Sequence, residues 1–332
     1  MSQIQLSHGG GGEETNRLIR EMFYAHFAND ILLAAEDAAV LSVAKNIAFS
    51  TDCFTVSPIF FAGGNIGKLA IAGTVNDLSM MGAKPLYLSA GFIIEEGFET
   101  AKLEQIVVSM AQELKVSGAK IVCGDTKVVP RGSADQIFIT TSGIGGILKP
   151  GISANRLNEG DVLILSGDIG RHGAAVLMQR EGLGVRGNIQ SDCASLWPAV
   201  EALLRYDISV SAMRDATRGG LSAVSNEWAR QSAVCLELEE SAICIDDAVQ
   251  GICELFGFDA LDFANEGTFL IAVKAKDAQR ALECLRGVEV SKNAAVIGRI
   301  TRKKEGRVIL HSAHGSSRYL EPPKGELLPR IC

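Results

Sequence analysis

The stretch of sequence that decides the fold is "IGKLAIAGTVNDLSMMGA", which runs from Ile66 to Ala83. Nearly all of its residues are apolar or small, which is typical of a helix that is buried on every side. Gly82 predicts the end of this helix. Asn76 and Asp77 interrupt the apolar run, and an unpaired buried carboxylate costs several kcal/mol. This pair is therefore the most informative polar feature of the stretch.

Segments with strand and helix patterns alternate on both sides of this helix. Before it, residues 13–30 have helical spacing and residues 45–58 are predicted to be a strand. After it come a strand at 85–97, an amphipathic helix at 101–118 that ends at Gly118, and two strands at 119–129 and 135–148. A linker rich in Pro, Gly, Asn and Ser follows at 149–161.

A second set of strands and helices follows this linker, with strands predicted at 161–167, 267–273, 294–300 and 307–313 and helices at 172–182, 195–207, 219–233, 246–258 and 277–287. The alternation in both halves predicts an α/β (α+β) chain of two domains, residues 1–149 and 150–320. The last residues, 321–332, are predicted to be a flexible tail, because they are rich in proline and carry no strand or helix pattern.

The overall charge and composition exclude several classes of protein. The chain has 332 residues, a net charge of −7 and 47% hydrophobic residues. An acidic chain does not favour nucleic acid or anionic membranes, which need clustered Lys and Arg. The opening residues lack the pattern of a signal peptide, and no apolar run approaches the roughly 18 residues of a membrane span. We therefore expect a cytoplasmic protein.

Eight cysteines are scattered along the chain, and no two form a Cys-x-x-Cys motif. Zinc binding and a thioredoxin-like redox pair are therefore not indicated. Most of the cysteines lie in amphipathic runs and are typical of small core residues. Cys332 is the exception, because it ends the chain in "LPRIC". It is either a chance feature of a tolerant chain end or a thiol that carries a group while chemistry is done on it.

Acidic residues and one asparagine lie at the ends of apolar elements: Asp37, Asp52, Asn76, Asp77, Asp125, Asp215 and Glu266. Carboxylates in such positions suit Mg²⁺, which takes one or two from the protein and leaves positions for phosphate oxygens. Any single one of them is equally well explained as a helix cap or a turn residue. The set as a whole favours a magnesium site.

Two glycine-rich segments, residues 7–12 and 62–68, can bring backbone N–H groups close to an anion. The second resembles a Walker A loop but fails the pattern, because only three residues separate Gly63 from Gly67 and Leu69 follows Lys68. A nucleotide would therefore be bound in another way. In isolation, Lys127 and Glu266 are best explained as a surface lysine and a turn acid.

Taken together, these motifs resemble one family over the whole chain. The segments "HGGGG", "STDCF", "GGNIGKLAIAGTVNDLSMMGA", "CGDTKVV", "RDATRGG", "FANEG" and the terminal "PRIC" are similar to the HypE family of hydrogenase maturation factors. That family belongs to the superfamily of aminoimidazole ribonucleotide synthetase, selenophosphate synthetase and thiamine-monophosphate kinase. The acidic motifs are shared across the superfamily, whereas the terminal "PRIC" is specific to the family.

The resemblance implies a fold and an assembly. We expect a homodimer whose N-terminal domains pair through a β-barrel, and a C-terminal α/β domain with a ferredoxin-like core. ATP and Mg²⁺ are expected in a cleft between the domains, without a Walker loop. A HypF-like carbamoyltransferase would load a carboxamide onto Cys332. The enzyme would dehydrate it to a thiocyanate with ATP, and the cyanide would pass to iron on a HypC–HypD complex.

The resemblance also implies roles for individual residues. The expected catalytic residues are Cys332, Lys127 and Glu266. The expected metal ligands are Asp37, Asp52, Asp77, Asp125 and Asp215. The expected ATP-binding residues are His8, Gly9, Gly10, Gly11, Gly12, Asn65, Gly67, Lys68, Asn76, Gly124 and Thr126.

Two alternatives stay open. One is a sister activity, such as selenophosphate synthesis or phosphorylation of a small molecule. It leaves the terminal thiol without a role, and the N-terminal glycine segment lacks the Cys and Lys of selenophosphate synthetases. The other is a non-catalytic scaffold that presents Cys332 to metals or partner proteins. The acidic residues argue against it, because a pure adaptor does not need them.

Overall fold

The computed structural model describes residues 3–9, 13–33, 39, 41–43, 46–180, 188–323, 328 and 330–332. Four predicted site residues, Gly10, Gly11, Gly12 and Asp37, lie outside this described part. No helix within the described residues has the length and apolar character that crossing a membrane requires.

Helices and strands alternate along the described chain. The helices are α1 (Glu13–Leu18), which continues through a π-helical turn (Ile19–Tyr24) into α2 (Ala25–Phe27), then α3 (Asp30–Leu33), α4 (Ile66–Met80), α5 (Thr100–Ser117), α6 (Arg171–Met178), α7 (Trp197–Arg205), α8 (Gly220–Gln231), α9 (Asp247–Phe256) and α10 (Ala278–Arg286). The strands are β1 (Ile47–Phe54), β2 (Phe60–Phe61), β3 (Gly64–Asn65), β4 (Ala83–Glu95), β5 (Lys120–Val129), β6 (Ile137–Ile147), β7 (Val162–Leu165), β8 (Val210–Asp215), β9 (Cys235–Glu239), β10 (Phe269–Val273), β11 (Ala295–Thr301), β12 (Arg307–His311) and β13 (Ser317–Tyr319).

The N-terminal part is built on a four-stranded sheet in the order β1-β6-β4-β5. Neighbouring strands are antiparallel except for β4 and β5, which are parallel. Helix α4 packs on this sheet and against α5. As predicted, α4 is buried on all sides, and a glycine in the left-handed region follows each of α4 and α5, Gly82 at φ +66° and Gly118 at φ +73°.

The other face of this sheet is exposed in a single chain. Along β1 the odd-numbered residues point away from α4, and Phe49 on that face is 67% exposed. Strands β1 and β5 are the two open edges of the sheet. The described strands of one chain therefore form an open sheet, and the barrel expected from the resemblance would need strands from a second copy.

The C-terminal part is built on a seven-stranded sheet in the order β13-β12-β9-β11-β7-β10-β8. The pairs are antiparallel except for β12 and β9. Side chains alternate along β7, so that Ile164 belongs to the core that α6, α7, α9 and α10 share with the N-terminal part. Leu163 and Leu165 belong to a second core, on the face covered by α8. Helices therefore cover both faces of this sheet.

The two sheets use residues 47–147 and 162–319. The predicted domain boundary between residues 149 and 150 falls between them and stays a prediction. The tail differs from its prediction as a loose arm, because its described end is docked. Leu328 and Ile331 are buried, at 9% and 6% exposed, in the core that joins the two parts. Burial of these two apolar side chains opposes release of the tail.

Candidate active site

Two of the predicted acidic residues approach each other in the N-terminal domain. Asp52 lies on β1 with its side chain toward α4, where the hydroxyl of Thr74 donates a hydrogen bond to its Oδ2 at 2.7 Å. Asp77 lies on α4, one turn further along, and accepts a hydrogen bond from the hydroxyl of Ser50 at 2.6 Å. The even-numbered side chains of β1 and one side of α4 thus bring both carboxylates to one place.

Two further acidic residues come from the C-terminal domain. Asp215 is the last residue of β8, and Glu266 lies just before β10, which pairs with β8. Both are buried, with 8% of Asp215 and 3% of Glu266 exposed. The Oε1 atom of Glu266 has no hydrogen-bond partner. An orphaned buried carboxylate oxygen is costly, which indicates that a proton or a ligand completes the site.

Electrostatic coupling shows that these four carboxylates form one cluster, which we call the acid cluster (Asp52, Asp77, Asp215 and Glu266). Burial, with a further contribution from Asp77, raises the pKa of Asp215 to about 7. Burial raises the pKa of Glu266 well above its usual range, and Asp215 adds to this effect. Burial also raises the pKa of Asp77, and Asp52 adds to the rise while Arg214 opposes it. Burial therefore favours the neutral form of these carboxyl groups, and the neighbouring carboxylates reinforce the effect.

The acid cluster fits Mg²⁺ held partly by a phosphate group. Hard oxygen donors suit this ion, and a cation would relieve the repulsion between the carboxylates. Among the described residues, however, no three His, Cys, Asp or Glu side chains are arranged to hold a metal by themselves. An ion at the acid cluster would therefore need further ligands, such as water or phosphate oxygens.

Asp125 and Lys127 do not join the acid cluster within one chain, and their roles as metal ligand and proton acceptor stay predictions. Both lie on β5, at the opposite edge of the sheet from Asp52 on β1. They are exposed and form an ion pair with each other at 3.5 Å. Since two strands lie between β1 and β5, the separation is on the order of 14 Å.

The predicted nucleotide residues His8, Gly9, Gly124 and Thr126 lie near that same edge. Gly124 and Thr126 are part of β5, and the short helical turn Leu6–Gly9 packs against this strand. The His8 side chain is buried, at 2% exposed, and its Nδ1 lies 3.0 Å from the backbone nitrogen of Gln5. These residues form a second group, together with Asp125 and Lys127, which we call the β5 group.

Three other predicted ATP-binding residues have structural roles. The side chain of Asn65 caps α4 by accepting hydrogen bonds from the backbone of Gly67 and Lys68. A Cβ atom at Gly67 would collide with the backbone of Ile106 on α5, so glycine is needed there for helix packing. The ammonium of Lys68 donates to the carbonyl of Gly63 at 3.2 Å.

Asn76 is also occupied, because its side chain joins the two domains. Its Oδ1 accepts a hydrogen bond from the backbone of Leu196 at 2.7 Å. Its Nδ2 donates to the carbonyls of Ala194 at 3.1 Å and Glu266 at 3.3 Å. Two polar residues interrupt the buried helix for different reasons. Asn76 forms hydrogen bonds between the domains, and Asp77 belongs to the acid cluster.

The described end of the tail lies antiparallel beside the residues that follow β1. The backbone nitrogen of Thr55 donates to the carbonyl of Cys332 at 3.0 Å, and that of Ser57 donates to the carbonyl of Arg330 at 3.1 Å. The guanidinium of Arg330 donates back to the carbonyl of Thr55 at 2.8 Å and pairs with Asp135. Backbone pairing of this kind fixes the position of the last residue.

Cys332 lines a cavity of about 450 Å³ between the two domains. Three residues that line this cavity are close in sequence to members of the acid cluster. Cys53 follows Asp52, Arg218 lies three residues after Asp215, and Ala264 lies two residues before Glu266. The cavity that Cys332 lines is therefore built from the same chain segments that carry three members of the acid cluster.

Sequence reasoning missed three residues at this site. Asp192 accepts hydrogen bonds from the backbone of Glu266 and Gly267 and contributes to the raised pKa of Glu266. His172 and Arg330 contact the tail. The motif "PRIC" contained Arg330, but Asp192 and His172 lie in segments without a distinguishing pattern.

Comparison with known proteins agrees with this architecture. Residues 35–147 match the family model for the AIR synthase related protein, N-terminal domain, and residues 158–311 match that for the C-terminal domain. The chain is 47% identical to the carbamoyl dehydratase HypE of Escherichia coli (strain K12), covering 100% of both chains. It is 42% identical to that of Rhodobacter capsulatus, covering 99% of this chain and 98% of the relative.

Solved structures give the same result. The hydrogenase maturation protein HypE in complex with ATP superimposes with a TM-score of 0.95, at 43% identity over 99% of both chains. A chain of a HypE–HypF complex superimposes with a TM-score of 0.81, at 44% identity over 92% of this chain and 99% of that one. The chain, with its two AIR synthase related domains, therefore belongs to the HypE family of carbamoyl dehydratases.

Proposed function

We propose that this protein is an ATP-dependent carbamoyl dehydratase that converts a thiocarboxamide on Cys332 into a thiocyanate. The observation that carries the proposal is the docked tail, which places Cys332 in an interdomain cavity bordered by neighbours of the acid cluster. Family membership and the ATP complex of a HypE structure support the same activity.

The chemistry explains why these residues occur together. A carboxamide oxygen is a poor leaving group, and ATP supplies the phosphoryl group that converts it into a good one. The two N–H protons and the phosphorylated oxygen must then leave, so that R–S–C(=O)NH₂ becomes R–S–C≡N with ADP and phosphate. The sulfur of Cys332 stays bonded to the carboxamide carbon through the whole reaction. The docked backbone of the tail would orient the carboxamide in the cavity.

Asp52, Asp77 and Asp215 are proposed to contact Mg²⁺ only together with phosphate oxygens of ATP, since no three described acidic side chains are arranged to hold an ion by themselves. The ion would neutralise charge on the phosphate groups of ATP. Asp37 lies outside the described residues and stays a predicted ligand. Burial, with repulsion between the carboxylates as a smaller cause, raises the pKa of Asp215 and Asp77, and a bound cation would offset both effects.

Glu266 is the better supported of the two proton acceptors predicted. Burial, reinforced by Asp215, raises the pKa of Glu266 well above its usual range, and a raised pKa suits a carboxylate that must take up and release a proton. A cation bound beside it would lower that pKa again and leave the carboxylate ready to accept a proton. Lys127 remains a proposal that depends on a second copy of the chain.

We propose a homodimer in which the β5 group of one copy completes the acid cluster of the other. The open edges β1 and β5, and the exposed Phe49 on the free face of the sheet, support pairing between N-terminal domains. If β5 of the partner lies near β1, its Asp125 and Lys127 reach the Asp52 side of the cluster. The expected ATP contacts of the N-terminal glycine segment would then come from the same partner.

Partner proteins follow from the proposed chemistry. A HypF-like carbamoyltransferase would supply the carboxamide, and the complex of a related HypE with HypF supports this assignment. An iron-carrying HypC–HypD complex is proposed as the acceptor of the cyanide on the basis of family resemblance. The cytoplasm remains the proposed compartment.

Mass spectrometry of the C-terminal peptide tests the function. The full chain is incubated with carbamoyl phosphate and a HypF-like carbamoyltransferase, and ATP with Mg²⁺ is added afterwards. The peptide ending in Cys332 should first gain the mass of one carboxamide group and then lose the mass of one water molecule. Cys332→Ser should show neither change. A carboxamide that stays intact after ATP is added would favour the scaffold instead.

A further inference from the structure

A buried histidine contacts the tail directly beside the carrier thiol. His172, the second residue of α6, is 0% exposed. Its Nε2 lies 2.8 Å from the carbonyl oxygen of Ile331, the residue before Cys332. Its Nδ1 lies 2.8 Å from the hydroxyl of Ser191, and the ring packs edge-on against Phe61. The imidazole is therefore fixed on three sides.

The contacts define which ring nitrogen carries the proton. A carbonyl oxygen only accepts hydrogen bonds, so Nε2 must donate to Ile331. The hydroxyl oxygen of Ser191 accepts from the backbone nitrogen of Cys193 at 3.0 Å, which leaves its hydrogen to donate to Nδ1. This arrangement uses the neutral ring, and burial lowers the pKa of His172 although Asp192 opposes the shift.

His172 holds the tail from the C-terminal domain. The backbone contacts of Thr55 and Ser57 with the tail come from the N-terminal domain. The imidazole bonds the carbonyl of Ile331, which lies between the two residues that those contacts hold. Both domains therefore have to be in place for the last residues to dock in this position.

The segment that contacts His172 also contacts Glu266, the proposed proton acceptor. Ser191, which bonds the imidazole, is followed by Asp192, whose carboxylate accepts from the backbone of Glu266 at 3.2 Å. The backbone nitrogen of Ser191 donates to the carbonyl of Ala62 in the N-terminal domain. One short segment thus supports both the tail contact and Glu266.

We propose that His172 is a positioning residue whose imidazole donates to the Ile331 carbonyl and thereby holds Cys332 in the interdomain cavity. This inference rests on the proposed carrier role of Cys332. Loss of the donor would leave the carbonyl of Ile331 without its partner whenever the tail is docked. The tail of such a variant would spend more time undocked, and its thiol would be more exposed to solvent.

Thiol alkylation tests the inference without ATP or a carboxamide, so its outcome is independent of the proposed activity. The full chain is treated with iodoacetamide, and the rate at each cysteine is followed by mass spectrometry. In His172→Phe, which keeps a ring but removes the donor, Cys332 should react roughly tenfold faster than in the wild type. In His172→Gln, which keeps an N–H donor of similar reach, the rate should stay within about twofold.

Buried Cys193 and Cys235 report on the overall fold in the same experiment. If both stay protected while Cys332 in His172→Phe reacts at the wild-type rate, the inference is wrong. It is also wrong if the Gln and Phe variants react equally fast. If His172→Phe exposes the buried thiols, its fold is disturbed and the Cys332 rate is measured in Ser191→Ala instead. This variant keeps the imidazole but removes the hydroxyl that bonds its Nδ1. A Cys332 rate several-fold above wild type with Cys235 protected supports the inference, and an unchanged rate overturns it.

Discussion

The raised pKa of Asp215 should make the free energy of unfolding depend on pH. Burial raises its pKa in the folded chain to about 7, from an ordinary value of 3.8. A carboxyl whose pKa rises on folding binds its proton more tightly in the native state. The native state therefore loses stability as the pH rises from about 4 to about 7, by about 1.4 kcal/mol for each pH unit.

The substitution Asp215→Asn should remove this dependence. Without Mg²⁺, the variant should gain about 2 kcal/mol relative to wild type between pH 5 and pH 8, as measured by urea unfolding at both pH values. Exposed Glu104→Gln is the matched control and should show no such gain. A difference between Asp215→Asn and wild type that is the same at both pH values would contradict the pKa shift.

The substitution Asp77→Asn tests whether this residue binds magnesium. Asp77→Asn keeps the shape of the side chain but removes a charge from the acid cluster. It should lower ADP release in the complete reaction roughly a hundredfold, and it should reduce the stabilisation by Mg²⁺ in thermal unfolding. Asp207→Asn, at an exposed site far along the chain, should change neither. Unchanged Mg²⁺ stabilisation in Asp77→Asn would exclude it as a ligand.

Sequence reasoning was most effective for individual acidic residues. Asp52, Asp77, Asp215 and Glu266 stood out because each is polar beside an apolar element, and the structure brings these four together. Their roles in metal binding and catalysis stay predictions. ATP binding by Asn65 and Asn76 stays a prediction, and in the structure Asn65 caps α4 while Asn76 joins the two domains through hydrogen bonds. A single sequence cannot separate such roles, because the partners of Asn76 lie more than a hundred residues away.

The hydrogen bonds of Asn76 on helix α4 should stabilise the packing of the two domains. Asn76→Ala would leave the backbone groups of Ala194, Leu196 and Glu266 without their buried partners. We expect the free energy of unfolding to fall by about 1–3 kcal/mol, measured by chemical denaturation. Exposed Asn293→Ala should change it by less than about 0.5 kcal/mol. Equal stability of the two variants would show that the interdomain hydrogen bonds contribute little.

Long apolar elements were predictable, whereas short strands were not. The burial of α4 and the ends of α4 and α5 at Gly82 and Gly118 follow from composition and from the left-handed conformation that glycine favours. Strands β8 and β9 were missed, because "VSAMRD" and "CLELE" are short and contain charged residues. Their place is set by pairing with β10, β11 and β12, which are distant in sequence. The missed β8 is the strand that carries Asp215.

The proposed dimer can be tested by mixing two inactive variants. If Asp125 serves the acid cluster of the partner, a heterodimer of Asp125→Asn and Asp215→Asn has one site with both changes and one site with neither. Activity should then return on mixing and subunit exchange, to roughly a quarter of wild type if subunits exchange at random. Mixing each variant with itself is the control. No recovery in proven heterodimers would assign Asp125 to its own chain.

At the scale of the whole molecule, the alternating pattern predicted two α/β domains, and the AIR synthase related fold confirms this architecture. The distribution of the acidic residues between two edges of one sheet was not predictable. Asp52 and Asp125 look equivalent along the sequence, and only the strand order β1-β6-β4-β5 separates them. The individual contacts of the docked tail with Thr55 were not predictable either, because they join residues that lie 275 or 277 positions apart in the sequence.

The central claim is that Cys332 carries a carboxamide whose oxygen leaves with the phosphate of ATP. The most direct measurement loads Cys332 from carbamoyl phosphate that carries a heavy oxygen isotope in its carbonyl group, adds unlabelled ATP, and analyses the released phosphate by mass spectrometry. The account predicts one heavy oxygen in the phosphate for each thiocyanate formed on Cys332. Thiocyanate formed with unlabelled phosphate, or ATP cleaved while the labelled carboxamide stays intact, would contradict it.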